Sequence, residues 1–126
     1  MKNKHEENNV SLIGDDEGQL TIDAYQTEDD IVIESTVAGV EPDDIDIDIT
    51  NDSVVIRGER KHFEEVSEEN YLYQECYWGK FSRVIPLPQD IDPDKAKAEF
   101  NNGILRIQLP KIAKNRTKKL KVRSGD

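Results

Sequence analysis

One cysteine, Cys76, is all the chain has, so an intramolecular disulfide is excluded. The opening "MKNKHEENN" has no apolar core of a secretory leader, which together with the lone thiol leads us to expect a reducing, cytoplasmic setting. No apolar run is long enough to span a membrane, and no partner in a membrane is expected. A glycine-rich phosphate loop is absent, so no nucleotide cofactor is implied. Helix signals are weak throughout. At 126 residues the chain suits one domain that can bury a core without metals or cross-links.

Charge is abundant and uneven. Charged residues make up 35% of the sequence and the net charge is -10, which disfavours a general nucleic-acid binder. From Lys111 to Asp126 there are seven Lys or Arg and one Asp, a net of +6. That leaves 10 of the 17 basic and 26 of the 27 acidic residues, a net of -16, on positions 1–110. An acidic body thus carries a basic tail. Within the tail, Leu120 and Val122 stand two apart, so an extended chain projects both to one side, as a segment adding to a sheet edge must.

Period-two alternation dominates the rest. "KAKAEFNNGILRIQLPK", Lys95 to Lys111, is a hairpin around Asn102-Gly103, the pair of residues that best tolerates the positive φ of a type I′ turn. That turn pairs Asn101 with Ile104, Phe100 with Leu105, Ala98 with Ile107 and Ala96 with Leu109. It sets Glu99 opposite Arg106 as an ion pair and Lys97 opposite Gln108 on the other face. "QLTIDAYQ" alternates through Leu20, Ile22 and Ala24, and "DIVIESTV" places Ile31, Ile33 and Val37 on one side. "DDIDIDIT" and "SVVIRGER" flank Asn51-Asp52, where a two-residue turn pairs Ile49 with Val54 and Ile47 with Ile56. "GKFSRVIPLP" is a further strand, ended by Pro86 and Pro88. Gly39 and Gly58 read as backbone devices, a bend and a bulge or close approach. Several short strands with turns between them imply an antiparallel β-sandwich.

Arg60 to Trp78 interrupts this pattern. A charged loop there encloses the apolar, strand-like "YLYQECYW", and a loop of such length is functional or disordered. Tyr71, Tyr73, Tyr77 and Trp78 suit a core or dimer contact better than a ligand site. Neither a catalytic nor a metal site emerges. Cys76 and His62 have no orienting third group in sequence. A calcium loop beginning at Asp44 needs Gly at position 49 and Glu at 55, where Ile and Val stand.

"AEFNNGIL" resembles the A-x-x-x-n-G-x-L signature of the α-crystallin domain of small heat-shock proteins, matching at Ala98, Asn102, Gly103 and Leu105. "VAGVEPDDIDIDI", "VVIRGER", "YLYQECYWGKFSRVIPLP" and the terminal Pro110-Lys111 extend the resemblance to bacterial members from about Gln19 to Lys111. The resemblance implies an all-β, immunoglobulin-like antiparallel sandwich over 19–111. A short polar arm over 1–18 would precede it and a basic tail over 112–126 follow it, with a dimer-exchange loop at about 60–78. It implies that Tyr71, Leu72, Tyr73, Gln74 and Glu75 form a strand exchanged with a neighbouring subunit. It also implies that Leu120-Lys121-Val122 is an oligomer motif docking in a neighbour's groove. The arm departs from the family pattern, with only Met1, Val10, Leu12 and Ile13 as apolar side chains where relatives carry a longer, aromatic-rich segment. The function implied is an ATP-independent holdase of the stress response: no enzyme, no cofactor and no metal. Its partners would be partly unfolded clients and copies of itself, as a homodimer and a larger homo-oligomer. The alternative is a non-enzymatic co-chaperone or adaptor that binds one folded partner.

Overall fold

The computed structural model describes residues 18–112 and 119–125. Among the described residues, eight strands form two four-stranded sheets. They are β1 (Gly18–Gln19), β2 (Asp23–Gln26), β3 (Asp30–Thr36), β4 (Ile45–Ile49), β5 (Ser53–Arg60), β6 (Gly79–Pro86), β7 (Lys97–Asn101) and β8 (Ile104–Pro110). One sheet runs β1-β6-β5-β4 and the other β2-β3-β8-β7. All pairings are antiparallel except that of β1 with β6. The described helical segments are three 3₁₀ turns, two of them opened by Pro42 and Pro93. Most of the expected arm, residues 1–17, and residues 113–118 of the tail lie outside the described residues.

Alternating sequence becomes alternating burial because successive side chains of a strand point to opposite faces. Ile31 and Ile33 of β3, Val54 and Ile56 of β5, and Leu105, Ile107 and Leu109 of β8 meet between the sheets with Val37, Phe81, Ile85 and Ile91. Both expected hairpins form in the expected register, Ile49 opposite Val54 and Ile47 opposite Ile56, then Asn101 opposite Ile104, Phe100 opposite Leu105 and Ala98 opposite Ile107. At the tip of the second, Asn102 (φ 53°) and Gly103 (φ 78°) take the left-handed conformations that the turn requires.

Four expectations need correction. The run from Gln19 to Gln26 is two strands in different sheets: β1 follows β6, and Leu20 to Ile22 cross over to start β2. The crossing is held by polar contacts to its backbone, from the Ser35 hydroxyl to the Thr21 carbonyl (2.7 Å) and from Arg83 to the Leu20 carbonyl (3.0 Å). Ladder pairing of β7 begins at Lys97 and leaves out Ala96, since the 3₁₀ turn Pro93–Lys95 delivers the chain there. Ala98 shares a face with Phe100 but stays exposed, because β7 is a sheet edge. Arg106 lies opposite Glu99, yet its ion pair is with Glu34 of β3 at 3.7 Å. β8 has a neighbour on each side, and the more central strand supplies the carboxylate.

Candidate interaction edges and loop

β1 and β2 are joined by three residues and lie at one side of the sandwich, which leaves β4 and β7 as the sheet edges on the other side. An edge strand presents unpaired backbone groups and needs cover. Along β4, Ile45, Ile47 and Ile49 face inward but remain half-buried, and along β7 the same holds for Phe100, with Ala96 just before it. These residues are only partly covered where they pack on the core, which leaves an apolar seam along the β4 and β7 edges. The polar alternates differ. β4 turns Asp46 and Asp48 outward, while β7 turns out Lys97 and Glu99.

The signature residues have distinct structural duties. Leu105 is core, Ala98 sits on the exposed edge, and Asn102-Gly103 forms the hairpin tip. That tip is anchored: the Val37 amide donates to the Gly103 carbonyl at 2.6 Å, and a Cβ on Gly103 would touch Ala38 at 3.4 Å.

Between β5 and β6, residues 61–78 form no strand within the single chain, only the 3₁₀ turn Glu68–Asn70. Tyr71 is half-buried, Gln74 and Glu75 are exposed, and Leu72 and Tyr73 are 91% and 84% exposed. Large apolar side chains in open solvent are surfaces awaiting cover, as is the unpaired edge of β2. The loop has Glu64, Glu65, Glu68, Glu69 and Glu75 and no Lys or Arg between Lys61 and Lys80.

Its roots, in contrast, are fastened. The Arg60 guanidinium donates from Nε to the Ala38 carbonyl (2.8 Å) and from Nη1 to the Tyr77 carbonyl (3.2 Å), and lies 5.9 Å from the Phe81 ring centroid. His62 stacks on Trp78 with ring centroids 4.5 Å apart. The Tyr77 hydroxyl accepts from the Gly18 amide (3.0 Å) and donates to the Lys80 carbonyl. Sequence reasoning missed Arg60, whose only signal is its place at the end of a strand before a long loop. Cys76 is free and exposed, and His62 stacks on Trp78. Among the described residues no group of three His, Cys, Asp or Glu could hold a metal ion, and no helix is long and apolar enough to cross a membrane. Of the aspartates in the calcium-loop candidate, Asp44 ends the 3₁₀ turn Pro42–Asp44, and Asp46 and Asp48 lie on the outer face of β4.

In the tail, Leu120 and Val122 are 78% and 99% exposed and belong to no strand. The single chain therefore brings neither the tail to the β4–β7 seam nor Tyr71–Glu75 to β2.

The family model described as "Hsp20/alpha crystallin family" matches residues 23–123. Small heat shock protein C2 of Rickettsia felis is 37% identical over 101 residues, which cover 80% of this chain and 66% of that one. Heat shock protein 16 of Schizosaccharomyces pombe is 34% identical over 106 residues, 81% of this chain and 74% of that one. The solved structure of heat shock protein 16.0 from Schizosaccharomyces pombe superposes with a TM-score of 0.69 at 32% identity, covering 86% of this chain and all of that one. This chain spans just under two thirds of the length of the Rickettsia protein.

Proposed function

The chain belongs to the Hsp20/alpha crystallin family, and from that premise we propose that it is an ATP-independent holdase, a non-enzymatic protein that binds partly unfolded chains and limits their aggregation. One observation carries the reading: the sandwich leaves its apolar seam open between two edge strands, with half-buried Ile45, Ile47, Ile49 and Phe100 on an otherwise acidic body. Partly unfolded clients expose apolar segments and unpaired strands, and such a seam meets both needs by burial and by edge pairing. The negative charge of the body keeps a loaded complex in solution. The lone thiol suits a reducing cytoplasm.

Self-association follows the same logic. Tyr71–Glu75 pairs with β2 of a second subunit, giving a homodimer in which two unpartnered segments cover each other. Leu120 and Val122 dock in the seam of a further subunit and link dimers into a larger homo-oligomer. The sandwich of residues 19–111 is the unit that does both, with the tail of 112–126 as its linker. Burial of the two tail side chains contributes about 3–6 kcal/mol before ordering costs, a millimolar-class contact that multivalency strengthens and heat releases.

Light scattering of a heated model client tests the function. Near-stoichiometric subunit ratios are expected to suppress the scattering, with ATP making no difference. No suppression, together with tight binding of one folded partner, is the result an adaptor module would give.

A further inference from the structure

Segment 37–44, between β3 and β4, reaches both borders of the seam. At its start the Val37 amide and Ala38 hold the hairpin tip at Gly103, where β7 ends, and at its other end the 3₁₀ turn Pro42–Asp44 passes directly into Ile45 of β4. Both ends are bound from the root of the 61–78 loop. Strand periodicity places Val54, Ile56, Gly58 and Arg60 of β5 on the core side, so the last of them, at the rim, crosses to the facing turn. Its Nε donates to the Ala38 carbonyl at 2.8 Å, and its Cγ, Cδ and Nε lie 3.6–3.7 Å from where a Cβ on Gly39 would stand. Lys61 Nζ meets the Asp44 carboxylate at 3.2 Å. The other arm of the Arg60 fork, Nη1, donates at 3.2 Å to the Tyr77 carbonyl, at the far root of the same loop.

Resting on the reading that residues 71–75 are exchanged with a second subunit, we propose that Arg60 is a positioning residue that couples this exchange to the shape of the seam. A guanidinium is rigid and planar, so Nε and Nη1 reach two carbonyls at once only while those carbonyls keep one relative position. Ala38 and Tyr77 are thereby locked to each other. Tyr77 follows the exchanged strand almost at once, and a partner that holds the strand holds the Tyr77 carbonyl in range of Nη1. With both acceptors in place, Arg60 pins segment 37–44, and through it the hairpin tip on one border and the entry to β4 on the other. Without the partner the loop carries Tyr77 away, the fork loses one acceptor, and both borders loosen together. The segment is built to respond. It contains no strand, its buried side chains are Val37 and Val40 alone, and its contact with Lys61 is a partly exposed ion pair that salt screens. Such coupling is reciprocal, so an occupied seam favours the dimer by the same factor by which the dimer favours occupation.

Hydrogen exchange read by mass spectrometry tests this on the full chain carrying Leu120→Gly and Val122→Gly, which keeps tails out of the seam, with mass followed in parallel by analytical ultracentrifugation. Dilution from dimer to monomer, which needs no change at Arg60, is expected to speed amide exchange in residues 37–44 and 101–105 about five- to 150-fold, while central β5 keeps its protection. Arg60→Lys is expected to abolish that step. Both segments then exchange fast already in the dimer, because a single ammonium does not hold two carbonyls in fixed relation. Arg57→Lys, on the outer face of the same strand, retains the step. A purely structural role for Arg60 would instead raise exchange equally at both concentrations and leave the step intact. That result, or a parent dimer whose two segments exchange alike above and below dissociation, overturns the coupling while strand exchange stands. If deleting Glu69 to Glu75 leaves a dimer, strand exchange itself fails and the coupling falls with it.

Discussion

Gly58 sits in the ladder directly across from Phe81, and the space its side chain would need is already occupied. A Cβ built on Gly58 lies 2.4 Å from Phe81 Cζ, 2.8 Å from Cε1 and 3.0 Å from the backbone oxygen of Asp44. Neither neighbour can give way cheaply. Phe81 is core, so swinging its ring outward uncovers apolar surface, and Asp44 is held in the 3₁₀ turn that leads into β4. Overpacking of this kind costs about 1–3 kcal/mol. The φ of Gly58 is not in the left-handed range, so alanine also gains roughly 0.4–1 kcal/mol by restricting the unfolded chain. The net expectation for Gly58→Ala is a loss of roughly 0.5–2.5 kcal/mol, or about 2–10 °C in Tm for a chain of this size. The measurement is thermal unfolding by circular dichroism, made on the Leu120→Gly, Val122→Gly background so that assembly does not add to the midpoint. Phe81→Leu completes a double-mutant cycle. Removing the ring should make Gly58→Ala neutral or stabilising. An alanine variant that melts no lower than its parent, or one that loses as much on the Phe81→Leu background as with the ring in place, refutes the steric argument.

Three further outcomes are expected. Gly103→Ala should destabilise by about 1–2 kcal/mol, since φ is +78° and Ala38 stands at 3.4 Å, whereas Asn102→Gly should be neutral within about 0.5 kcal/mol by denaturant unfolding. Deleting Glu69 to Glu75 should give monomers by analytical ultracentrifugation at low micromolar concentration, and a deletion variant that stays dimeric rejects strand exchange. Leu120→Gly with Val122→Gly should reduce larger assemblies to dimers while the melting of the sandwich changes little, because neither side chain touches the core.

How much of this could be read from the sequence depends on whether the contact is local. The Asn102-Gly103 hairpin was legible because the turn chemistry and the alternation demand one register, and β4–β5 was legible for the same reason. The division of residues 19–26 between two sheets was not. Leu20 and Ile22 keep their inward alternation straight through the crossing, and what marks it are bonds from Ser35 and Arg83 to backbone carbonyls, which no periodicity records. Arg106 could be paired only by choosing between two flanking strands, and sequence spacing identified the hairpin neighbour alone. Val32 is buried although it points away from the main core, covered by neighbours on the outer face of its sheet, another environment that alternation does not encode. For the candidate edges, the sequence identifies which apolar residues lack a partner, such as Leu72 and Val122. Where they go in the proposed assembly is not encoded in the alternation of a single chain.

The Arg60 guanidinium, by gripping the Tyr77 carbonyl, gives the loop two tethers of very unequal length. On the upstream side ten residues, Lys61 to Asn70, separate the anchor from the apolar strand, enough slack to reach about 36–40 Å from Arg60 to Tyr71 when extended. Downstream, only Cys76 lies between Glu75 and the gripped Tyr77, a reach of roughly 7 Å. Whatever edge accepts Tyr71–Glu75 must therefore come to the doorstep of β6, and the geometry of the pair is dictated by the short tether alone. Residues inserted among 63–67 would be absorbed as extra slack, whereas two or three residues inserted after Cys76 would unlock the relative orientation of the two sandwiches without changing a single side chain that touches.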